Sequence, residues 1–454
     1  MHSSALFRVL LSTVWTFGIL GPLLIGITSS PWVSASKSTV NMGLVLQGGP
    51  DGTKEGTQNA LALQGGKEAC LSSLLGTEGY QYQSCSLRTY TPADETVGAY
   101  LGLIPNKVAS ENDFALALGY FPSKAIQTAA RANGNKLFGI VNFEFLPPEG
   151  NIASIMFSED QIGYLAGLLA GEVAKTRGGK VAVIGGVNQP SVRRHVNGFG
   201  TGVQISCSTC TAYGLYSGTF DADPKLSTSA AKVLRSKKVS VVFNAGSIFG
   251  TSTLKNLTVT DGIYAIGSGS DEWITNWAYG SVPGSEHVLT SVLTDYRVLV
   301  HSVMQSVLHA NLTGGATVFY GVNTDQTQSA IKLAPVHEAG KVFNKELEAK
   351  MQGYIKDMTT GKLKTGVDHK SGDSRMADNG SNTSVELLSL TDTTGDSNHS
   401  SGTNGSSLSE EGGQHQSNPS SSAATRTIEW RKVLMTFAPW MLMIVQAVAH
   451  FGSF

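Results

Sequence analysis

The sequence has no excess of charge of either sign. It contains 33 Lys and Arg against 34 Asp and Glu, which leaves a formal net charge of −1 at pH 7, and its basic residues form no stripe. Proteins that bind nucleic acid use clustered Lys and Arg to neutralise phosphates. The charge balance therefore excludes a nucleic-acid partner.

Motifs for catalysis and for metal binding are also absent. The chain has no G-x-S-x-G and no H-E-x-x-H, and its ten His are scattered. Such motifs place a nucleophile, or two zinc ligands, on one local element. We therefore predict no catalytic residue, no metal and no cofactor, and we expect that the protein is not an enzyme.

Cysteine is scarce, with four in the chain. Cys70 and Cys85 close a short loop, and Cys207 with Cys210 forms C-x-x-C. The second pair also fits a redox motif or half of a zinc site, but zinc needs a partner pair, and Cys70 and Cys85 are not spaced for one. We predict two local disulfides, Cys70–Cys85 and Cys207–Cys210, formed in an oxidising compartment.

Glycine, by contrast, is abundant, and the stretch 157–202 shows one use of it. The stretch has the pattern helix, strand, helix, and Ser158 with Gln161 has the spacing of a capping box. Gly163, Gly167 and Gly171 share one face of the first helix, although each costs ~1 kcal/mol relative to Ala. We therefore predict that another backbone approaches this face closely.

Apolar strand candidates alternate with helical segments along the chain. The strands are predicted at 40–46, 114–118, 137–143, 181–185, 239–244, 263–267 and 288–291. This alternation is typical of right-handed β-α-β units and parallel sheets, so we predict an α/β fold.

Several segments carry a resemblance to a known family. They are FSEDQIGYLAG (157–167), KVAVIGG (180–186), SGTFDADP (217–224), VVFNAGSIFG (241–250), YAIGSGSD (264–271) and HVLTSVL (287–293). In this order and spacing they resemble the basic membrane protein family over about residues 40 to 335. Its members are substrate-binding proteins of type I periplasmic-binding fold, and bacterial purine-nucleoside receptors are among them.

The resemblance implies two Rossmann-like lobes with parallel sheets and a ligand cleft between them at the carboxyl ends of the strands. By analogy, the chain crosses between the lobes near Ser154, Ser270 and Thr290. The implied ligand is a small molecule, a nucleoside or another heterocycle, on which the lobes close. The chain supplies no pore or signalling domain, so transport or signalling needs a partner that remains unknown.

The resemblance also implies ligand-binding residues. They are Asp51, Gln161, Phe220, Asp221, Gly246 and Asp271, to which we add Trp273 as a ligand-binding candidate of our own. Phe220 matches a stacking aromatic of the purine receptors, with a core Phe as the alternative. The other stacking Phe of the family is replaced by Glu55. Trp273 and Trp277 offer new stacking surfaces, with ordinary packing as the alternative.

Several positions depart from the family pattern, which separates fold from function. Gly269 stands where the family has an acidic residue, Thr294 where it often has Lys, and Gln161 where Glu is common. Two alternatives to solute binding therefore stay open. One is a structural or adhesive surface protein that reuses the fold, and the other is a nucleoside-processing enzyme.

The ends of the chain differ in composition from residues 36–370, which we assign to the two-lobed domain. Residues 1–35 have the pattern of a secretory signal peptide, with a retained signal anchor as the alternative. Residues 371–426 are rich in Ser, Thr, Gly and Asn, so we predict a disordered stalk there. Residues 427–454 have the spacer and apolar tail of a lipid-anchor signal, with Ser422 as the attachment site. A transmembrane anchor is the alternative.

Six N-x-S/T sequons predict N-glycosylation. They are Asn256, Asn311, Asn379, Asn382, Asn398 and Asn404. Four of the six cluster in the predicted stalk, as expected for glycan sites on an exposed polar segment. Together with the signal peptide and the anchor signal, they predict a protein on the extracellular face of the plasma membrane, held there by a glycosylphosphatidylinositol anchor.

Overall fold

The computed structural model describes residues 39–48, 53, 57–74, 82, 84–375 and 383–391. These residues lie within 1–396, one of two units into which the chain divides. The predicted signal peptide, Asp51, Glu55, Ser422 and the anchor segment lie outside the described residues. The sequons at Asn379, Asn382, Asn398 and Asn404 lie outside them as well.

Lobe 1 is built on a six-stranded parallel sheet. Its strands are β1 (Thr39–Val45), β2 (Ser84–Tyr90), β3 (Phe114–Leu118), β4 (Leu137–Val141), β5 (Ile152–Phe157) and β11 (Thr317–Tyr320). They lie in the order β11-β5-β4-β3-β1-β2. The three central strands β3, β4 and β5 are buried along their whole length, because helices cover both faces of the sheet.

The helices of lobe 1 come from two parts of the chain. They are α1 (Gln58–Leu74), α2 (Val97–Leu103), α3 (Ala109–Glu111), α4 (Ser123–Ala132) and α10 (Tyr296–Leu308). A π-helical turn, Ile104–Val108, joins α2 to α3. The late helix α10 packs on the first helix, α1, so both ends of the domain contribute to lobe 1.

Lobe 2 is built on a seven-stranded sheet. Its strands are β6 (Lys180–Gly185), β7 (Thr211–Tyr216), β8 (Val241–Ala245), β9 (Tyr264–Gly269), β10 (Val288–Thr294), β12 (Ile331–Leu333) and β13 (Glu386–Leu388). They lie in the order β12-β10-β9-β8-β6-β7-β13. The pairing of β12 with β10 is antiparallel, and the other pairings are parallel.

Six helices belong to lobe 2. They are α5 (Glu159–Ala174), α6 (Pro190–Ser206), α7 (Pro224–Ser236), α8 (Ser247–Asp261), α9 (Glu272–Thr275) and α11 (Lys345–Thr359). Asp223 caps α7, because its side chain accepts a hydrogen bond from the Leu226 N–H at 2.9 Å, and Pro224 occupies the first turn.

The predicted α/β class and parallel sheets are confirmed, and each of the seven predicted strands is present, with shifts of at most three residues at its ends. Six strands were not predicted, namely β2, β5, β7, β11, β12 and β13. β11 is only half-buried at a sheet edge.

The glycine face of α5 packs against α6, as predicted. A Cβ added at Gly163 or Gly167 would meet the carbonyl oxygen of His195 or Phe199 well inside the 3.0 Å limit of real contacts. Gly198 and Gly202 of α6 meet the α5 backbone in the same way. The two helices thus approach backbone to backbone, which only glycine permits.

The predicted capping box at the start of α5 is wrong. The Ser158 side chain makes no cap hydrogen bond. Instead of reaching back to residue 158, the Gln161 Oε1 accepts a hydrogen bond from the backbone N–H of Val322 at 2.8 Å. A connection between the lobes therefore competes for the side chain that the local pattern assigned to the helix end.

The chain crosses between the lobes three times, but not all at the predicted places. It leaves lobe 1 at Ser158, returns at Asp295 and crosses again within 321–330. The predicted crossing at Ser270 is wrong, because this residue lies inside lobe 2 between β9 and α9. Thr290 lies within β10, before the actual crossing. The crossing within 321–330 was missed because it depends on β11.

The prediction that disorder begins at residue 371 is also wrong. β13 pairs in parallel with β7, and Val367 bridges Ser374. The Ser384 N–H donates to Asn197 Oδ1 at 3.0 Å, and its hydroxyl donates to the Asn197 carbonyl at 2.7 Å. Composition failed here because a few residues suffice to complete a sheet edge that the rest of the domain presents.

Both predicted disulfides, Cys70–Cys85 and Cys207–Cys210, are present. The first joins α1 to β2, and the second joins the end of α6 to the start of β7. Over the part of the chain that the structure describes, no helix is long and apolar enough to cross a membrane.

Candidate functional site

A cavity of about 530 Å³ lies between the lobes, at the carboxyl ends of strands from both sheets. Lobe 1 contributes residues that follow β3, β4 and β5, and lobe 2 contributes residues that follow β6, β7, β8, β9 and β10. This is where open parallel sheets bind ligands, because the loops at the carboxyl ends of the strands diverge there. The volume suits a small organic molecule.

Aromatic side chains from both lobes line the cavity. Phe220 of lobe 2 lies over Gly186, where any Cβ would overlap its ring. Tyr120 and Phe143 of lobe 1 meet edge to face, with ring centroids 5.5 Å apart. Tyr296 lies on the same cavity and contacts Phe157 edge to face at 5.2 Å. The cavity therefore offers rings on two sides.

A buried ion pair lies in the wall of the cavity. The Nε of Arg194 is 3.0 Å from Glu159 Oε2, and its Nη1 is 3.8 Å from Glu144 Oε2. Arg194 is only 1% exposed, and it also donates to the His369 carbonyl. Burial raises the pKa of Glu159 to about 7, although the guanidinium lowers it. The positive charge of Arg194 is thus shared by protein groups.

His195 adjoins this ion pair and is neutral at pH 7. Burial, and to a smaller extent the charge of the neighbouring Arg194, lowers the pKa of its imidazole to about 4. Its Nδ1 lies 3.0 Å from the Ser191 carbonyl oxygen. The carbonyl can only accept, so Nδ1 carries the proton. His195 therefore adds no positive charge to the cavity at neutral pH.

A buried carboxyl organises the polar end of the cavity. Glu272 accepts hydrogen bonds from Asn244 Nδ2 at 2.9 Å, from the Ser268 N–H at 3.0 Å and from Thr251 Oγ1 at 2.9 Å. Burial raises the pKa of Glu272. These bonds hold Asn244 and Ser268, which line the cavity, in fixed positions.

Two residues that line the cavity have left-handed backbones. Asn142 has φ 58° and Ser247 has φ 55°. Such conformations are uncommon for residues other than glycine and concentrate at functional sites. Asn142 also donates from Nδ2 to the Tyr296 hydroxyl at 2.6 Å, which links the end of β4 to the start of α10 within lobe 1.

Of the predicted ligand residues, the structure places Phe220 in the cavity wall, and Gly246 lies between two lining residues, Ala245 and Ser247. Gln161 is engaged at the lobe crossing, and Asp221 is exposed outside the cavity lining. These roles in binding stay predictions, as does the role of Asp51.

Asp271 and Trp273 lie elsewhere in lobe 2. Asp271 Oδ2 is 2.8 Å from His337 Nε2, and Trp273 stacks on the His337 ring with centroids 4.0 Å apart. Neither residue lines the cavity. Trp277 is fully buried in the core, which confirms the packing alternative for that residue.

Several lining residues were missed from the sequence, among them Tyr120, Asn142, Phe143, Arg194 and Asn244. Asn244 lies at the carboxyl end of β8, and the others follow the carboxyl end of a strand or lie in the helix after it, so strand position was the signal that could have found them. Within the described residues, no group of three or more His, Cys, Asp or Glu is placed to hold a metal ion.

Two lobes, three crossings and a ligand-sized cleft define the class of two-lobed substrate-binding proteins. The chain belongs to the Bmp family, described as ABC transporter substrate-binding protein PnrA-like, whose model matches residues 72–356. The resemblance found in the sequence is thereby confirmed, and the chain is a substrate-binding protein of this family.

Curated relatives cover much of the domain. The CD4+ T-cell-stimulating antigen of Listeria monocytogenes is 26% identical over 296 residues, which are 64% of this chain and 77% of that protein. Basic membrane protein D of Borreliella burgdorferi is 24% identical over 58% of this chain and 75% of that protein. The ABC transporter nucleoside-binding protein BmpA of Lactococcus lactis is 24% identical over 45% of this chain and 60% of that protein.

A solved structure shows the same fold. An ABC transporter solute-binding protein from Conexibacter woesei matches with a TM-score of 0.50 at 18% identity, over 72% of this chain and 98% of that one. At this identity the likeness concerns the fold alone. It agrees with the two-lobed, type I periplasmic-binding architecture that was predicted.

Proposed function

We propose that the protein binds a small, uncharged heterocyclic solute, nucleoside-like in kind, and that its two lobes close on it. The observation that carries this proposal is the cleft itself. It has aromatic rings from both lobes, and it has fixed polar groups at one end, namely Asn244 and Ser268. Rings that stack and a few oriented polar groups are what a planar, polar heterocycle requires.

The charges around the cavity argue against a phosphorylated ligand. Among the described lining residues, Arg194 is the one Lys or Arg, and its charge is met by Glu159 and Glu144. A phosphate would have to break this buried pair, which costs about 3–5 kcal/mol when one partner is left alone. Nucleosides are therefore favoured over nucleotides.

The name of one relative supports the same ligand class, because the Lactococcus lactis protein is called nucleoside-binding. Closure of the lobes needs hinges, and the three crossings at Ser158, Asp295 and 321–330 supply them. We propose no catalytic step, so a bound nucleoside should leave the cleft unchanged. Uptake or sensing would require a partner of unknown identity.

The proposed location is the outer face of the plasma membrane, on a lipid anchor and a glycosylated stalk. The support is the sequence: a signal-peptide pattern, clustered sequons and an anchor signal. Of the two sequons in the domain, Asn311 is exposed after α10, whereas Asn256 is half-buried within α8. Asn311 is therefore the better acceptor of the two.

Thermal stabilisation by a ligand panel tests the proposal. Full-length protein, purified in detergent, is melted with adenosine, guanosine, riboflavin, arabinose and AMP. A ligand at 100 times its Kd adds ~2.7 kcal/mol to the free energy of unfolding. We expect a nucleoside or riboflavin to raise the melting temperature, and AMP to do so less than adenosine. Stabilisation by arabinose alone would contradict the proposal, and so would release of free base from adenosine.

A further inference from the structure

An apolar patch lies on lobe 1 at the mouth of the cavity. We call it the rim patch and define it as Tyr120, Phe121, Phe143 and Leu146. Tyr120 is 65% exposed, Leu146 is 56% exposed and Phe121 is 41% exposed. Single exposed apolar residues are ordinary, but adjoining ones beside a cleft mark a surface that binds something.

Within the rim patch, Tyr120 is the ring that is free to stack. Phe143 is held edge to face between two rings, Tyr120 at 5.5 Å and Phe145 at 4.8 Å. Tyr120 meets Phe143 and Phe121 only at angles of 63° and 82°. Its contacts with both neighbours are therefore edge to face, and most of its surface remains in solvent.

Tyr120 and Phe220 line the same cavity from opposite lobes. Tyr120 follows β3 of lobe 1, and Phe220 follows β7 of lobe 2. A flat molecule on which the two lobes close would therefore meet Tyr120 from lobe 1 and Phe220 from lobe 2. An offset-stacked ring on each face gives a planar heterocycle two such contacts instead of one.

We propose that Tyr120 is the second aromatic wall of the binding site, so that a planar heterocycle is held between Tyr120 and Phe220 in the closed protein. Phe143 is a positioning residue, because its ring meets the ring of Tyr120 edge to face. This inference rests on the proposed function. It deepens that proposal by assigning the preference for a flat ring to one residue pair.

The test compares Tyr120→Ala, Tyr120→Phe and a control, Tyr279→Ala. Tyr279 is also an exposed tyrosine, at 71%, but it lies in lobe 2 outside the cavity lining. The Kd values of adenosine and riboflavin are measured by isothermal titration on each full-length variant, and melting temperatures are recorded without ligand. We expect Tyr120→Ala to raise the Kd of both adenosine and riboflavin at least about tenfold. Tyr120→Phe and Tyr279→Ala should stay within about twofold.

The melting temperature without ligand separates stacking from structure. Because Tyr120 is mostly exposed, Tyr120→Ala should melt within a few degrees of the parent protein. Tyr120→Ala that binds adenosine and riboflavin as well as the parent would overturn the proposed wall and leave the proposed function standing. A parent protein that binds neither probe would overturn both.

Discussion

Gly167 lies where α5 and α6 approach backbone to backbone, and replacing it with Ala tests how that contact shapes the domain. In an isolated helix, Gly→Ala stabilises by ~1 kcal/mol because Ala loses less conformational entropy. At Gly167 the added Cβ would lie 2.8 Å from the carbonyl carbon of Phe199 and 3.0 Å from its Cα, while ordinary contacts begin at 3.4 Å. The backbone of α6 would have to withdraw by more than the 0.6 Å that separates 2.8 Å from 3.4 Å, because the carbonyl oxygen of Phe199 lies closer to the added Cβ than its carbonyl carbon does.

Such a shift acts on the most buried part of lobe 2. Helix α5 is buried on nearly every face, so a displacement loosens contacts with the sheet as well as with α6. Overpacking in cores costs ~1–3 kcal/mol. We expect Gly167→Ala to lower the free energy of unfolding by ~1–3 kcal/mol, opposite in sign to the effect of helix propensity.

Gly353→Ala is the matched control. Gly353 lies inside α11, and no heavy atom comes within 4 Å of its added Cβ. Helix propensity alone should act there, and it should raise the free energy of unfolding by up to ~1 kcal/mol. Urea unfolding, followed by far-ultraviolet circular dichroism, compares the midpoints of both variants with the parent. A Gly167→Ala variant that is as stable as Gly353→Ala would refute the close-contact account.

Three further predictions concern ligand binding, pH and location. Phe220→Ala should weaken the binding of adenosine about tenfold or more, as measured by titration, because a lost stacking contact is worth ~1–3 kcal/mol. Glu159 has a pKa raised to about 7 in the folded protein, so it binds a proton more tightly there than when unfolded. Its contribution to stability is therefore complete below about pH 4.5 and is lost as the pH rises through 7, by up to ~3 kcal/mol. Glu159→Gln should remove this fall, which urea midpoints from pH 4.5 to 8 would show. Phosphatidylinositol-specific phospholipase should release the protein from intact cells, because of its anchor signal.

Each of these has an outcome that would contradict it. For Phe220→Ala, unchanged affinity with a large loss in urea midpoint would assign Phe220 to the core. For Glu159→Gln, the quantity to compare is the slope of the urea midpoint against pH, and not the midpoint at any one pH. The variant leaves Arg194 without its buried partner at every pH, which lowers all the midpoints. An unchanged slope would contradict the raised pKa. Full retention on cells after phospholipase treatment, with the C-terminal peptide intact, would contradict the lipid anchor.

The local pattern of the sequence was sufficient for seven of the described strands and for the class of fold. The apolar runs after residues 113 and 180 form central strands because they are buried on both sides of a sheet. The glycines at spacing four on α5 also predicted a close backbone contact, although the sequence did not identify the partner helix. Such features are local, since they depend on which side chains share one face of one element.

The site depended on tertiary structure to a much greater degree. Phe220 was found through a matched motif, but Tyr120, Arg194 and Asn244 lie at or beyond the ends of different strands and share a cavity only after two sheets have formed. Their sequence separations carry no signal of this proximity. Trp273, predicted as a stacking surface for the ligand, stacks on His337 and lies outside the lining of the cavity.

The segment after residue 371 also shows the difference between what the local sequence predicts and what tertiary contacts decide. Composition indicated disorder after residue 371, yet Ser384 bonds to Asn197 and β13 completes the sheet of lobe 2. The sequence by itself determined the parallel α/β elements, the glycine contact and the short disulfide loops, because neighbours along the chain produce them. Tertiary structure alone decided the lobe crossings, the buried Arg194–Glu159 pair and the docking of β13, because each requires surfaces that distant segments build together.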